Sequence, residues 1–362
     1  CLLCHRHGLL ALYQLCLIDM FGIEEWPLSW LIAGVIILTL VIGSVGTRIT
    51  RMADRLADQT GLGEALFGGI FLGATTSLSG LVTSTTAAMN GLPDLAVSNA
   101  IGGIAAQTVF LVAADFAYKR ANLEHAVASP TILVQSTLLL FLLALPLTAA
   151  LLPEVSLFEI HPVTPLILFV YLWGTGMANS VRENPPWVPR ETRETDRDEP
   201  DKADSRAGLS FRLAGSFALM AVLLGTSGWG MAMLAGEIAD DTGLDQAILG
   251  VMLTSVITSL PELITTVAAV RQGAATLAVG GIVGGNTFDA LFLVASDIGY
   301  RDGSIVHAVD QSTLFLFAWS ILMTIVLLLG LIKRQESGPA GLGWETVALG
   351  VIYVSGVIVQ FY

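Results

Sequence analysis

Long apolar runs separated by short polar connections dominate the chain. From Pro27 onward they fall at about 27–47, 62–89, 94–118, 126–152, 162–181, 209–235, 244–270, 275–299, 310–332 and 343–361. At 1.5 Å per residue, runs of this length match a hydrocarbon layer roughly 30 Å thick. The pattern predicts ten transmembrane helices. Upstream, the apolar stretch from Leu9 to Ile23 is short for a span. Residues 1–26 read as an extra N-terminal helix, an interfacial helix or a targeting remnant. His5-Arg6-His7 suits a signal-like start, but no small-residue cleavage site follows convincingly. One segment differs in kind. Residues 182–208 hold Asn184-Pro185-Pro186-Trp187-Val188-Pro189 and then alternating acids and bases. This reads as a mobile hydrophilic linker. It separates a first membrane unit, 27–181, from a second, 209–362, with five spans each.

The two units are related by one constant, gapless offset. Laid over one another, Thr76-Ser77-Leu78 falls on Thr258-Ser259-Leu260, Gly102-Gly103 on Gly284-Gly285, and Phe110-Leu111-Val112-Ala113 on Phe292-Leu293-Val294-Ala295. Asp115 falls on Asp297 and Tyr118 on Tyr300; about 21 of the 57 positions from Leu62 to Tyr118 are identical to their counterparts. Shared apolar composition gives far fewer matches at a single gapless offset. An odd number of spans per copy orients the copies oppositely, and inverted repeats with interrupted helices are a signature of secondary transporters.

Composition agrees with the pattern. The 362 residues are 54% hydrophobic and 13% charged, against about a quarter charged in soluble domains. Much of the net charge of −13 lies in polar connections such as Glu194 to Asp204, and no basic patch with interleaved aromatics suggests nucleic acid. Cys1, Cys4 and Cys16 all fall near the start; a single C-x-x-C without a second ligand pair is weak support for zinc. With ten spans, Arg48, Arg51, Arg55, Lys119, Arg120, the linker, Arg271, Lys333 and Arg334 share one side, and Arg301 stands on the other. The rich side, linker included, is expected to be cytoplasmic, in a plasma or inner membrane. Nothing resembles an intramembrane hydrolase: H-E-x-x-H, paired catalytic aspartates, a Ser/His pair and G-x-S-x-G are absent. An enzyme is not expected, nor a bound cofactor beyond transported cations. The sequence leaves the oligomeric state open.

Chemistry concentrates between Gly250 and Tyr300. Glu262 follows Pro261, and Asp289 closes Gly284-Gly285-Asn286-Thr287-Phe288-Asp289. Ionisable groups at membrane depth are costly and mark function by default. Pro261 lacks an N–H, so the carbonyl of Ile257 loses its helical partner. A freed carbonyl inside a membrane needs protein or a watery cavity around it. Carbonyls, carboxylates and Thr/Ser hydroxyls together form an all-oxygen cage suited to a hard cation. Glu262 lies ten residues before the turn at Gln272-Gly273. That is about 15 Å, half the hydrocarbon thickness. Asp289 lies a similar distance beyond the turn, nearer if the glycines at 280, 281, 284 and 285 interrupt its helix. Both carboxylates are therefore expected at the midplane on adjacent antiparallel segments.

Two copies of a segment built on T-S-L-P-E, each followed in the next span by an Asn or Asp that closes a G-S-N-x-F-[ND] motif, resemble the sodium/calcium exchanger family of the calcium/cation antiporter superfamily. The resemblance covers nearly everything after residue 26. It implies an all-α integral membrane protein of ten core helices in two inverted five-helix repeats. It implies antiport of Ca2+ or another cation against Na+ or H+ by alternating access, with inorganic cations and the lipid bilayer as partners. It implies Glu262, Asp289, Thr258 and Ser259 as ligands from the second repeat, and Thr76, Ser77 and Gln107 from the first. The first repeat departs from the pattern. Ser79-Gly80 stands where the family has Pro-Glu, and Ile104-Ala105-Ala106 has lost the surrounding Asn and Phe. With Glu262 and Asp289 alone the site carries at most two negative charges. That balances one Ca2+ but disfavours several Na+ at once in low dielectric. Proton-coupled or monovalent exchange gains weight. A transport-inactive sensor or scaffold derived from an exchanger is the alternative. Gly80 is expected either to let backbones approach or to admit water.

Overall fold

The structure is a computed structural model that describes residues 26–61, 63–118, 121–127, 129–157, 159–195, 210–242, 254–336, 338 and 342–360. The readings of residues 1–25, with their three cysteines, and of the later linker lie outside the described residues. The described residues are helical, with one isolated β-bridge between Leu157 and Ile160. In chain order they form α1 (Leu28–Thr60), then α2 (Gly63–Phe67), which continues through a π-helical turn (Gly68–Leu72) into α3 (Gly73–Thr76). There follow α4 (Leu78–Met89), α5 (Pro93–Ala117), α6 (Leu123–Ala126), α7 (Pro130–Ala150) and α8 (Val163–Glu183). The second half holds α9 (Phe211–Thr242), α10 (Leu260–Gln272), α11 (Ala275–Asp289), α12 (Leu291–Gly299), α13 (Ile305–Ala308), α14 (Gln311–Lys333) and α15 (Trp344–Gln360). By length and apolarity six helical stretches among the described residues qualify to cross a membrane; the pair 64–76 and 78–89, bent by 51°, makes a seventh.

Two expected spans are interrupted rather than straight. The first repeat bends at Ser77 (φ −78°, ψ −2°), although no proline stands there. Ser259, its counterpart, adopts nearly the same angles (φ −94°, ψ 5°) between helical residues 254–258 and α10, with Pro261 in the first turn of α10. A proline is tolerated at that place because the first-turn N–H has no intrahelical partner. Elsewhere helices outrun the apolar pattern. α1 continues from the expected end at 47 to Thr60 and closes on Gly61 in the left-handed region (φ 67°). Ile49, Ala53, Leu56 and Ala57 keep a buried stripe at helical spacing through the arginine-bearing extension.

Burial grades inward. Only 17% of the apolar window of α1 is buried, against 78% for α5 and 83% for α11–α12. Helices apolar all round belong at the centre of a bundle, and these central helices carry the polar residues of interest. The glycines at 280, 281, 284 and 285 do not break α11, which runs unbroken to Asp289; the interruption comes after it, at Ala290. Instead they allow backbone contact with the first repeat. A Cβ on Gly284 would lie 2.1 Å from the Cα of Gly69, and one on Gly73 2.6 Å from the Cα of Gly285. Between membrane helices such small-residue contacts supply the van der Waals packing that a hydrophobic driving force supplies in water.

The relation between the repeats recurs in the hydrogen bonds. Asp115 accepts from the Leu123 N–H (2.8 Å) and from the Thr346 hydroxyl (2.8 Å). Asp297 accepts from the Ile305 N–H (3.0 Å), the His161 N–H (2.9 Å) and the Thr164 hydroxyl (2.5 Å). In each case the threonine comes from the other half, so the two copies clasp one another at their ends. The opening of the linker, expected to be mobile, is tied down as far as Thr195. Arg334 donates to the carbonyls of His125 (2.8 Å) and Arg190 (2.6 Å) and to the Thr195 hydroxyl (3.1 Å), while the His125 ring bonds Thr192 (2.9 Å).

Candidate cation site

The two interruptions lie in the buried interior, where Ser77 and Ser259 are 2% and 3% exposed. Ser77 donates to Glu262 Oε1 (3.1 Å). Gln107 Nε2 donates to Asp289 Oδ2 (2.6 Å) and to Ser259 Oγ (3.4 Å). Five of the seven expected ligands therefore meet across the repeats in two clusters: Ser77 with Glu262, and Gln107 with Asp289 and Ser259. All five are buried, at 3% exposure or less. Hydrogen bonds to charged groups are worth about 1.5–3 kcal/mol each, so each carboxylate is held by a donor from the first repeat.

The remaining two expected ligands stand close by, with their hydroxyls engaged differently. Thr76 Oγ1 bonds the carbonyls of Leu72 (3.1 Å) and Gly73 (2.9 Å) in its own helix. Thr258 Oγ1 lies 2.9 Å from the Thr254 carbonyl and 3.3 Å from Asn99 Oδ1. Such back-bonding is a common habit of threonine in helices.

What these bonds leave over is acceptor capacity. Gln107 Oε1, Glu262 Oε2, Asn286 Oδ1 and Asp289 Oδ1 are buried oxygens without a hydrogen-bond partner. The amide orientations follow from their neighbours. Gln107 turns its NH2 to a carboxylate, which cannot donate when ionised. Thr108 spends its one proton on the Ile104 carbonyl (2.7 Å), so it accepts from Asn286 Nδ2 (3.0 Å). Neither carboxylate has a basic side chain within 4 Å among the described residues. Unpaired carboxylates in so dry a setting are costly. Buried acceptor oxygens with no basic side chain within 4 Å of either carboxylate among the described residues are the chemistry that suits a hard cation. Thr76, Glu262, Thr265, Thr266, Leu277 and Gly281 line a cleft no wider than about one water molecule, reaching Glu262 from the side of the Gly273 turn.

The model of the family described as sodium/calcium exchanger protein matches residues 30–174 and 212–362, most of the chain and both halves. The chain belongs to the sodium/calcium exchanger family. Members of this family are membrane exchangers of inorganic cations, and several apolar helices here fit a multi-pass membrane protein. The putative antiporter CaxA of Alkalimonas amylolytica is 29% identical over 307 residues, 82% of this chain and 89% of that protein. The sodium/calcium exchanger MaX1 of Methanosarcina acetivorans is 32% identical over 125 residues, a third of either chain (34% and 33%). Among solved structures, the sodium-calcium exchanger NCX_Mj soaked with Na+ and Sr2+ superposes with a TM-score of 0.65 at 15% identity, covering 92% of this chain and 99% of that one. At that identity the likeness speaks for the fold.

Sequence reasoning on this exchanger-family chain passed over Asn99 and, as a ligand, Asn286. Asn99 is 1% exposed and bonds the Gly80 carbonyl (3.1 Å) and Ser84 (2.9 Å). Its counterpart in the second repeat is Gly281, so no repetition drew notice to it. Asn286 sat inside the quoted motif, and its full burial is the signal that sequence could not supply.

Proposed function

We propose that the chain is a secondary active antiporter that exchanges Ca2+ or another cation against Na+ or H+ by alternating access. In this reading ten core helices form two inverted repeats, the linker lies in the cytoplasm, and Glu262, Asp289, Ser259, Ser77 and Gln107 hold the cation, with Thr76 and Thr258 completing the cage as it rearranges. The observation that carries the reading is that both buried carboxylates, Glu262 and Asp289, and the amide of Gln107 each keep an unpartnered oxygen, with no basic side chain within 4 Å of either carboxylate among the described residues. Two carboxylates balance one divalent ion, or two protons or monovalent ions in exchange for it. The name of the relative CaxA supports antiport. In this reading the cleft at Glu262 lies toward the Gly273 turn and Arg271, on the cytoplasmic side.

The experiment is a flux panel in vesicles holding the purified chain, loaded with tracer Ca2+ and driven by Na+, K+ or H+ gradients. Uptake dependent on one gradient, and abolished by Glu262→Gln, is expected. Unchanged flux in Glu262→Gln removes that residue from the mechanism. The neutral Gly80 favours one second reading, a transport-inactive sensor or scaffold; it predicts no flux from the parent under any gradient.

A further inference from the structure

The first-repeat half of the cage is the place where this chain departs from its own second half. Gly80 occupies the first-repeat position that Glu262 holds in the second, so a carboxylate is missing there. The structure shows what fills the space. A Cβ built on Gly80 would lie 2.8 Å from Cε2 and 3.4 Å from Cζ of Phe292, and 3.8 Å from Nδ2 of Asn99. Phe292 is 2% exposed and packs edge-on against Phe288 (centroids 6.2 Å, 88°), which packs edge-on against Tyr171 (6.5 Å, 69°). The ring is thus braced by an aromatic ladder from α12 back to α8. On the other flank Asn99 binds the Gly80 carbonyl and Ser84 with its NH2, and its oxygen faces Thr258 Oγ1. The carbonyl of Gly80 is therefore engaged by a donor, and the volume beside it is hydrocarbon.

We propose that Phe292 is a specificity-determining residue: with Asn99 it seals the first-repeat half of the cage, confining cations to the side of Glu262 and Asp289 and limiting bound charge to two. This rests on the antiporter reading above. It also replaces the expectation that Gly80 admits water, because the ring takes the room a water would need. The ring disfavours an additional cation beside Gly80, since its hydrocarbon edge offers no oxygen to replace a hydration shell.

Two measurements on the purified full chain test it. The first is a stability cycle: the thermal midpoints of the parent, Gly80→Ala, Phe292→Ala and the double variant. Gly80→Ala is expected to lower the midpoint by several degrees beside Phe292 and to have almost no effect beside Ala. Equal losses in both backgrounds would overturn the seal. The second is the number of Na+ bound per chain at saturation. Phe292→Ala with Gly80→Glu is expected to bind one more Na+ than the parent, and Gly80→Glu alone none. An extra Na+ with Gly80→Glu alone would overturn the claim that the ring sets the limit. A parent that binds neither Na+ nor Ca2+ would defeat the antiporter reading, and the specificity claim with it. The stability cycle, independent of transport, shows which of the two has failed.

Discussion

Replacing Gly284 by alanine tests the backbone contact that holds α11 in place. The added Cβ would lie 2.1 Å from Gly69 Cα, 2.8 Å from its carbonyl carbon and 3.1 Å from its oxygen. Carbon atoms rest at about 3.5–4.0 Å, so relief requires roughly 1.5 Å of separation between two helices. No side chain can rotate away, because every clashing atom is backbone. Overpacking of this kind costs about 1–3 kcal/mol, and the backbone contact places it at the upper end. Alanine also gains about 1 kcal/mol in helix propensity over glycine, leaving a net loss of about 2 kcal/mol. At about 2–4 °C per kcal/mol, the melting midpoint in detergent should fall by roughly 5 °C. Gly176→Ala on α8 is the matched control: nothing lies within 4 Å of its Cβ, so only the propensity gain remains. The shift would also carry Asp289, five residues further along α11, out of its 2.6 Å contact with Gln107. Cation affinity should drop along with stability. Equal midpoints for Gly284→Ala and Gly176→Ala would refute the close approach of α11 to the π-helical turn.

Two further predictions concern the helix ends. Thr346→Val removes the 2.8 Å bond to Asp115, and Thr164→Val the 2.5 Å bond to Asp297. Each should destabilise by about 1.5–3 kcal/mol, the range for bonds to charged groups. The two losses should add, because the threonines share no partner; a strongly non-additive pair would argue against separate clasps. Burial, and then the neighbouring carboxylates of Asp115 and Glu345, push the carboxyl of Glu124 well above its ordinary range. A raised acid holds its proton in the folded state, so its stabilisation is complete at low pH and is lost as pH rises through the folded value. Thermal midpoints of the parent should therefore fall with rising pH, and Glu124→Gln should flatten that fall. Parallel pH profiles would show that folding does not raise the Glu124 carboxyl.

Most of the helices were legible because apolar runs of span length admit few alternatives. The break at Ser77 was not legible, since the first repeat lacks the proline that announces the second. α1 outran its apolar run because hydropathy averages over all faces, whereas Ile49, Ala53, Leu56 and Ala57 bury only one. Gly284 and Gly285 were ambiguous in sequence: glycine serves both a broken helix and a close contact, and the choice depends on Gly69 and Gly73, far away in the other repeat. Carboxylates in apolar sequence pointed to the candidate site directly, while Gln107 came only from the family resemblance. Phe292 facing Gly80 was not legible, because nothing local couples a glycine to an aromatic ring from the other repeat. Asn99 stayed hidden for a related reason: its partners Gly80, Ser84 and Thr258 come together only in the folded bundle.

Equilibrium binding of Ca2+ and Na+ to the purified chain, measured calorimetrically, tests the central claim most directly. If the two carboxylates share one cage, as proposed, Glu262→Gln and Asp289→Asn should each weaken binding at least about tenfold, the equivalent of 1.4 kcal/mol. Asp297→Asn, whose carboxylate holds helix ends, should leave affinity within about twofold of the parent. Parent-like binding in both Glu262→Gln and Asp289→Asn would contradict the account.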